Sequence, residues 1–266
     1  MPFTLRACVT ALLAVFACAS AAEEEQAHTP KIAIIIDDVG DRFADGKRAI
    51  NLPGKIAYAF LPHTPYAKKL AQLAHELDKE VLLHLPLESM TGKRLGPGAI
   101  EMDVSKEAFN EKLRENLNAI PHVRGVNNHM GSLLTRHPGH MAWLMDELIA
   151  WGGLFFIDSY TTDASIAYRI AQEKGVPTAR RDVFLDGDKN PEIIRAEFTR
   201  LIKEAQTRGY AVAIGHPYPE TLAVLEDVLK DLSEHGVDLV PVAEIVALDE
   251  ASRTAGRGSA VAAGHP

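Results

Sequence analysis

Two carboxylates stand side by side where a buried strand is expected to end. The chain reads Ile34-Ile35-Ile36 and continues directly with Asp37, Asp38, Val39 and Gly40. A continuous apolar run is typical of a strand buried on both faces, and ligands of parallel α/β folds bind beyond the carboxyl ends of the strands. Adjacent like charges repel, and a metal cation or a shared proton relieves the repulsion. The pair therefore predicts a catalytic or metal site, although Asp and Gly are also common in ordinary turns.

Three histidines follow apolar strand-like runs in the same way, and they are His84, His129 and His216. A lone histidine at a strand end is more often a hydrogen-bonding residue than a metal ligand. Three at equivalent positions, together with Asp37 and Asp38, supply the ligands, general base and general acid that a zinc-type hydrolase requires. A phosphate-directed hydrolase with Asp37 as nucleophile is the alternative, and the lack of an Asp-x-Asp spacing argues against it.

Other polar residues border predicted strands. Asp158 and Ser159 follow residues 154–157, and we expect Asp158 to orient a catalytic partner or bind substrate, with a helix cap as the alternative. Arg181 and Asp186 border a later strand, where an ion pair or a turn would explain them equally well. Glu88 lies four residues after His84 and is a reserve metal ligand.

Strand and helix patterns alternate along the chain, and they must position these residues. About seven or eight β/α units favour an α/β fold with a parallel barrel or an incomplete barrel over an open sheet. We expect Thr64 to cap one helix, with Pro65 at its first position, and Ser105 to cap another. The segment 87–104 has neither pattern and predicts an ordered functional loop. The strand-like runs are 31–36, 55–61, 80–85, 124–126, 153–157, 178–185, 210–214 and 237–240.

The ends of the chain differ from its middle. Residues 1–22 have one basic residue, a short apolar stretch and small residues at the end, which predicts a secretory signal peptide; a lipoprotein signal acylated at Cys18 is a weaker alternative. One domain is expected over residues 31–250, and the Ala- and Gly-rich residues 251–266 predict a disordered tail.

Composition limits the possible partners. The whole chain has a formal charge of −8, and removal of the signal peptide takes away only Arg6, which makes the charge more negative. Nucleic acid is therefore excluded as a partner. Both cysteines lie in the predicted signal peptide, so the mature chain forms no disulfide, and no second apolar stretch is long enough to cross a bilayer. The sequence predicts an exported, bacterial periplasmic protein.

Five ordered motifs resemble the divergent polysaccharide deacetylases, which are relatives of the NodB-type carbohydrate esterases. The resemblance spans about residues 31–248. It implies a distorted or incomplete β/α barrel, a divalent metal that is often zinc, and removal of acetyl groups from N-acetylated sugars of a carbohydrate polymer. The motifs are Asp37-Asp38-Val39-Gly40, His84-Leu85-Pro86-Leu87-Glu88, Asn127-Asn128-His129-Met130-Gly131-Ser132, Phe156-Ile157-Asp158-Ser159 and Gly215-His216-Pro217.

The resemblance also implies roles for single residues. Asp37 would be the general base and His216 the acid that protonates the departing amine, with Asp158 as the carboxylate of the preceding motif. Asp38, His84 and His129 would bind the metal, whereas the mainstream family takes both histidines from one His-x-x-x-His segment, whose second place here is Glu88. Asn128, Ser159 and Arg181 are assigned to substrate binding. The family's arginine-proline motif, which positions the base, is not evident, and Arg181 is the nearest substitute.

This altered ligand set keeps a second function open. A non-catalytic cell-envelope protein could retain the fold, the metal and the glycan groove in order to bind a glycan or a partner.

Overall fold

The structure is a computed structural model, and it describes residues 29–262. The predicted signal peptide, residues 1–22, lies outside this range. Nine strands alternate with eight helices in the described part of the chain. The strands are β1 (Lys31–Val39), β2 (Ala57–Phe60), β3 (Glu80–Leu87), β4 (Val123–Met130), β5 (Phe155–Asp158), β6 (Thr178–Arg180), β7 (Val183–Phe184), β8 (Tyr210–Gly215) and β9 (Asp238–Leu239). The helices are α1 (Phe43–Ile50), α2 (Ala67–Glu76), α3 (Lys106–Ala119), α4 (Pro138–Ala150), α5 (Ala167–Lys174), α6 (Pro191–Arg208), α7 (Pro219–Val228) and α8 (Val242–Ala262).

The strands form one parallel sheet that curls into a half-barrel. Its order is β6-β5-β4-β3-β2-β1-β8-β7, and β9 pairs with the beginning of β1. The two ends of the sheet, β6 and β7, follow each other in the chain and are separated only by Arg181 and Asp182. The prediction of an incomplete parallel β/α barrel is confirmed.

Each face of the curled sheet has its own apolar core. On β1, Ile32, Ile34 and Ile36 pack in the larger core with the outer helices, while Ala33 and Ile35 lie in a smaller core on the other face. This alternation is the period of two of a β-strand. The smaller core contains alanines from β1, β2 and β6, and these small side chains leave room for α8, which packs Val242, Ile245 and Val246 against the inner face. We call the face covered by α8 the inner face.

The end of β1 departs from regular strand geometry. The pairing of β1 with β2 shifts register between Ile36 and Val39, and Asp38 has a φ of 54°, in the left-handed region. Consecutive side chains of a regular strand point to opposite faces, and a bulge re-aims one of them. Here the bulge lets Asp37 and Asp38 approach the same histidine. The close approach continues at Gly40, where a Cβ atom would lie 2.1 Å from Thr64 Oγ1.

Two helix boundaries test the capping predictions. Ser105 caps α3 by accepting a hydrogen bond from the backbone N–H of Ala108, as predicted. The expectation for Thr64 and Pro65 is wrong, because α2 begins at Ala67 with Tyr66 at the cap position. The Thr64 hydroxyl instead donates to the carbonyl of Leu61 and so belongs to the turn that leaves β2.

The C-terminal segment also differs from the expectation. Residues 251–262 continue α8 as a helix, whereas the sequence predicts a disordered tail from residue 251. The segment has few bulky apolar residues, but it is rich in alanine, the strongest helix former, and has no proline before Pro266. Residues 263–266 lie outside the described range. Within that range no helix is both long enough and apolar enough to cross a membrane.

Candidate metal centre and active site

The inner face of the sheet delivers a row of polar side chains to one edge. Each of these polar residues comes two positions after an apolar residue of the inner core. Because side chains two positions apart point to the same face of a strand, the polar side chain also lies on the inner face. Because all strands are parallel, these positions meet at the carboxyl edge of the half-barrel. The pairs are Ile35 and Asp37, Leu82 and His84, Ile157 and Ser159, Ala179 and Arg181, and Ile214 and His216.

Asp38, His84 and His129 bring three ligand atoms together. His129 Nδ1 lies 2.9 Å and His84 Nε2 lies 3.2 Å from Asp38 Oδ1, and the two ring nitrogens are 3.1 Å apart. Each residue offers one ligand atom, and all these atoms lie within 4.8 Å of one another. The three metal ligands predicted from the sequence therefore form one cluster, contributed by β1, β3 and β4.

The cluster fits a divalent cation better than it fits a hydrogen-bonded triad. Asp38 Oδ1 is buried and has no hydrogen-bond partner of acceptable geometry among the described residues, although two ring nitrogens lie beside it. A buried carboxylate oxygen without a partner is costly. One carboxylate and two imidazoles are a ligand set that zinc accepts in catalytic sites, where a further position stays open. Burial opposes ionisation of Asp38, but the close approach of the His129 and His84 rings and their charge hold its pKa well below the usual range.

Asn127 links a metal ligand to the predicted base. Its side-chain oxygen lies 2.9 Å from His84 Nδ1, and its side-chain nitrogen donates to Asp37 Oδ1 at 2.7 Å and to Ser159 Oγ at 3.3 Å. Because the amide presents its oxygen to His84, Nδ1 carries the ring hydrogen, and the lone pair of Nε2 faces the cluster. Asn127 is fully buried. It therefore fixes the His84 tautomer and the Asp37 rotamer together.

Asp37 has the environment of a base. Its side chain is 3% exposed, and burial raises the pKa of its carboxyl group, although His84, His216 and the Asn127 hydrogen bond oppose this shift. Its Oδ2 lies 3.6 Å from His84 Nε2, beside the metal ligands and outside their closest contacts. A carboxyl group with a raised pKa accepts a proton more readily than an ordinary one.

His216 faces the same cluster from β8. Its Nε2 lies 3.7 Å from Asp38 Oδ2, and its Nδ1 lies 2.9 Å from Asp186 Oδ1. Asp186 also accepts hydrogen bonds from the His216 backbone N–H at 2.6 Å and from the Thr221 hydroxyl at 2.8 Å. Burial lowers the pKa of His216, but the Asp186 carboxylate and the charges of Asp38 and Asp37 outweigh burial and raise it to about 9. The ring is therefore protonated at neutral pH, as a general acid must be.

A cavity of about 370 Å³ adjoins Asp37 and His216. Its lining includes Ser159 and Arg181, which the sequence assigns to substrate binding. Arg181 donates to the carbonyls of Ser159 at 2.6 Å and Tyr160 at 2.8 Å. Asn128 also borders the cavity, but its amide is used within the fold, where it donates to the Met130 carbonyl and accepts from the Ser159 backbone N–H.

The structure corrects the catalytic assignment of Asp158. Its neighbour Phe156 lies in the outer core, so Asp158 falls on the outer face, away from the cluster. Its carboxylate accepts hydrogen bonds from the backbone N–H groups of Tyr160 and Tyr168 and from the Ser165 hydroxyl. Tyr168 is in the first turn of α5, so the helix-cap alternative describes Asp158, and the carboxylate that orients His216 is Asp186.

The reserve ligand Glu88 is not part of the cluster. Its carboxylate accepts a hydrogen bond of 2.6 Å from the Met102 backbone N–H, and its own backbone pairs with Ile100 and with residues 133 and 134. Glu88 therefore holds the segment 87–104 against the end of β4, and the third residue of the cluster is His129.

Sequence reasoning missed Asn127 and undervalued Asp186. Asn127 stands two residues before His129 and therefore on the same face of β4, which is a signal that the sequence contains. Asp186 lies 30 residues before its partner His216, and only the pairing of β7 with β8 brings the two together. No local pattern identifies such a contact.

A larger cavity, of about 660 Å³, lies at the opposite edge of the sheet. Several of its charged residues are engaged with their neighbours: Lys55 pairs with Asp78, and Glu80 accepts hydrogen bonds from the first backbone N–H groups of α8. Among the described residues, the group of Asp and His side chains that could hold a metal ion lies at the carboxyl edge and not at this cavity.

Comparison with known proteins identifies the family. A sequence profile described as divergent polysaccharide deacetylase matches residues 34–246. The chain belongs to the divergent polysaccharide deacetylase family. The resemblance seen in the motifs is thereby confirmed. An uncharacterized protein of Escherichia coli (strain K12), YibQ, is 37% identical over 202 residues, which cover 76% of this chain and 63% of YibQ. The chain therefore spans less than two thirds of that relative.

Solved structures agree on the fold. The uncharacterized protein ATU2773 from Agrobacterium tumefaciens C58 superposes with a TM-score of 0.78 at 23% identity, covering 83% of this chain and 90% of that one. A mutant of BA3943, described as a CE4 family pseudoenzyme with restored enzymatic activity, gives a TM-score of 0.53 at 15% identity and covers 82% and 68% of the two chains. At these identities the likeness concerns the NodB-type fold.

Proposed function

We propose that this member of the family is a metal-dependent deacetylase that hydrolyses the acetamide of N-acetylated sugars in a cell-envelope polysaccharide. One observation carries the proposal: Asp38, His84 and His129 converge on one point, while Asp37 and His216 flank it. A ligand set, a buried carboxylate and a protonated imidazole are the groups that hydrolysis of an amide requires.

Asp38, His84 and His129 would hold the cation, and zinc suits this ligand set. When bound, a divalent cation polarises the amide carbonyl and makes water more acidic. Asp37, held by Asn127, accepts a proton from the attacking water while the water oxygen bonds to the acetyl carbon. Its raised pKa suits it to this role.

His216 acts on the nitrogen of the scissile C–N bond. As the C–N bond breaks, its protonated ring gives a proton to the departing nitrogen, and the products are acetate and an amine. Asp186 supports this step because it accepts a hydrogen bond from His216 Nδ1–H and keeps the ring protonated and oriented.

The envelope location is part of the proposal and is supported by the signal-like residues 1–22. We propose that the mature protein acts in the bacterial periplasm after this segment is removed. N-terminal sequencing of protein recovered from the periplasm, with a start near residue 23, is the matching observation.

The test combines metal content with turnover. The mature protein should contain about one equivalent of divalent metal, and a variant with Asp38→Ala, His84→Ala and His129→Ala should contain none. On N-acetylated glycans, acetate release should fall by at least about 10²-fold in Asp37→Asn, which keeps the shape and removes the base. Circular dichroism establishes that the variants are folded.

The same experiment separates deacetylation from glycan binding without catalysis. That second function has a specific observation in its favour, since Glu88 stands where the mainstream family has its second histidine. If the wild type binds metal and glycan but releases no acetate, the non-catalytic binding function is supported. A wild type that binds no metal even with zinc supplied would refute the hydrolase.

A further inference from the structure

Arg181 occupies the seam of the half-barrel. It lies between β6 and β7, the two unpaired edges of the sheet, and continues the inner face beyond Ala179. Its side chain borders the cavity of about 370 Å³ that also contains Asp37 and His216. A cation at this place faces the space that a substrate has to enter.

The Arg181 guanidinium is held in position but not neutralised. Its two hydrogen bonds go to uncharged carbonyls, those of Ser159 and Tyr160, and a guanidinium has more donors than these bonds use. Its central carbon lies 5.0 Å from the centre of the Phe184 ring, which supports the planar group from one side. In the described part of the chain no carboxylate forms an ion pair with it.

The acidic residues around Arg181 are engaged elsewhere. Asp37 is bound by Asn127, Asp158 accepts three hydrogen bonds near α5, and Asp182 pairs with Arg208. Asp37 and Asp158 act on Arg181 only as charges at longer range, while burial lowers its pKa. A partly buried cation without a close counter-ion favours an anionic group in the ligand.

Arg181 is not needed to orient the predicted base. The Asn127 amide donates to Asp37 Oδ1 at 2.7 Å, and Arg181 makes no hydrogen bond to Asp37. The guanidinium of Arg181 is thus available to the substrate.

We infer that Arg181 makes this cavity a subsite for a carboxylate, so that the protein prefers N-acetylated amino sugars in which the ring carbon beside the acetamide-bearing carbon carries a substituent with a free carboxylate. The inference rests on the proposed deacetylase function and specifies its substrate class. Arginine suits this task because its planar fork matches the two oxygens of a carboxylate.

The test uses two glycan strands that differ only in charge. One is a peptide-free peptidoglycan strand, in which alternate N-acetylated sugars carry a lactate ether with a free carboxylate. The other is the same strand with these carboxylates converted to primary amides. Acetate release gives kcat/KM, and calorimetry gives Kd, for both strands with the metal-loaded protein.

The expected preference follows from one charge-assisted contact. The wild type should favour the carboxylate strand by roughly tenfold to a hundredfold in kcat/KM and in Kd. In Arg181→Gln this ratio should fall to about one, and Arg181→Lys should keep part of it, because a lysine retains the charge without the fork. Arg180→Gln is the matched control, since Arg180 is the exposed neighbour whose guanidinium lies 4.3 Å from the Tyr160 ring. It should preserve the ratio.

Two results would overturn the inference. One is a wild type that treats the two strands alike, and the other is an Arg181→Gln variant that loses both strands to the same degree. The deacetylase proposal can fail separately. If neither strand releases acetate but the Kd ratio still depends on Arg181, the carboxylate subsite is supported and the deacetylase function is refuted. Absence of both release and a Kd preference rejects both.

Discussion

Asn127 holds two groups of the proposed reaction at once, a metal ligand and a base. Its amide oxygen orients His84 and its amide nitrogen orients Asp37, with heavy-atom distances of 2.9 and 2.7 Å. Second-shell contacts of this kind set the tautomer and the direction of a metal-binding histidine. The affinity for the metal is therefore a property of Asn127 as well as of the three ligands.

Asn127→Ala should lower the metal affinity by about tenfold to a hundredfold, as second-shell substitutions do elsewhere. Competition against a chelator measures the change. The matched control is Asn116→Ala, because Asn116 is equally buried and also makes two side-chain hydrogen bonds, to His63 and to the Gly98 carbonyl, neither of which belongs to the cluster. Equal affinity losses in the two variants would show that Asn127 has no specific part in metal binding.

Asp186→Asn should move the alkaline limb of the pH profile to lower pH. The Asp186 carboxylate favours the charged imidazole and is a main cause of the His216 pKa of about 9. Without that charge the ring loses its proton at lower pH, so the fraction able to act as an acid declines earlier. The profile of kcat/KM against pH measures this shift.

Asp158→Asn serves as the control for Asp186→Asn. This carboxylate is buried as well, but it bonds to the start of α5 and not to His216. The substitution should reduce stability and leave the limb in place. An unmoved limb in Asp186→Asn would contradict the role given to Asp186.

At the scale of elements, helix α8 replaces the missing side of the barrel. It covers the inner face with Val242, Ile245 and Val246, and farther along Asp249 accepts hydrogen bonds from the hydroxyls of Tyr168 and Tyr210 at 2.7 and 3.2 Å. The inner faces of the strands that carry the site would otherwise be exposed. The rigidity of the carboxyl edge therefore depends on α8.

Ile245→Ala should lower the free energy of unfolding by about 2–5 kcal/mol, because it removes a fully buried side chain and leaves a cavity. Urea unfolding followed by circular dichroism measures the loss. Glu250→Ala, at an exposed position of the same helix, should change the stability by less than about 0.5 kcal/mol. If Ile245→Ala lowered the free energy of unfolding as little as Glu250→Ala, α8 would not be part of the core.

A structural feature could be predicted from the sequence where its signal lies in neighbouring residues, and not where it depends on contacts between distant segments. The β/α alternation and the strand-end acids and histidines are local patterns, and they led to the half-barrel and to the cluster of Asp38, His84 and His129. Which of Asp158 and Ser159 faces the cluster depended on which face of β5 is covered by α8, and the partnership of Asp186 with His216 depended on pairing between distant strands. The helical residues 251–262 were missed because their composition has few bulky apolar residues, which is a weak guide where alanine is abundant.

At the scale of the whole molecule, the candidate metal site joins strands that are far apart in sequence. Its ligands come from β1, β3 and β4, so a bound cation would connect positions 38, 84 and 129 of the open half-barrel. The unfolded chain does not bring these positions together, and the cation therefore binds the folded state alone. Binding energy at this site is at the same time folding energy.

Metal should therefore raise the thermal stability of the protein by linkage. With free zinc at about a thousand times Kd, the stabilisation should be about 4 kcal/mol, and for a domain of this size each kcal/mol shifts Tm by about 2–4 °C. Calorimetry of the metal-free protein across a zinc series measures the shift, which should grow with the logarithm of the zinc concentration. His129→Ala should lose most of it, whereas His122→Ala, a histidine stacked on His75 outside the cluster, should keep it. A Tm that does not respond to zinc in the wild type, or that rises equally in His129→Ala, would mean that cations bind elsewhere and that Asp38, His84 and His129 are not the site.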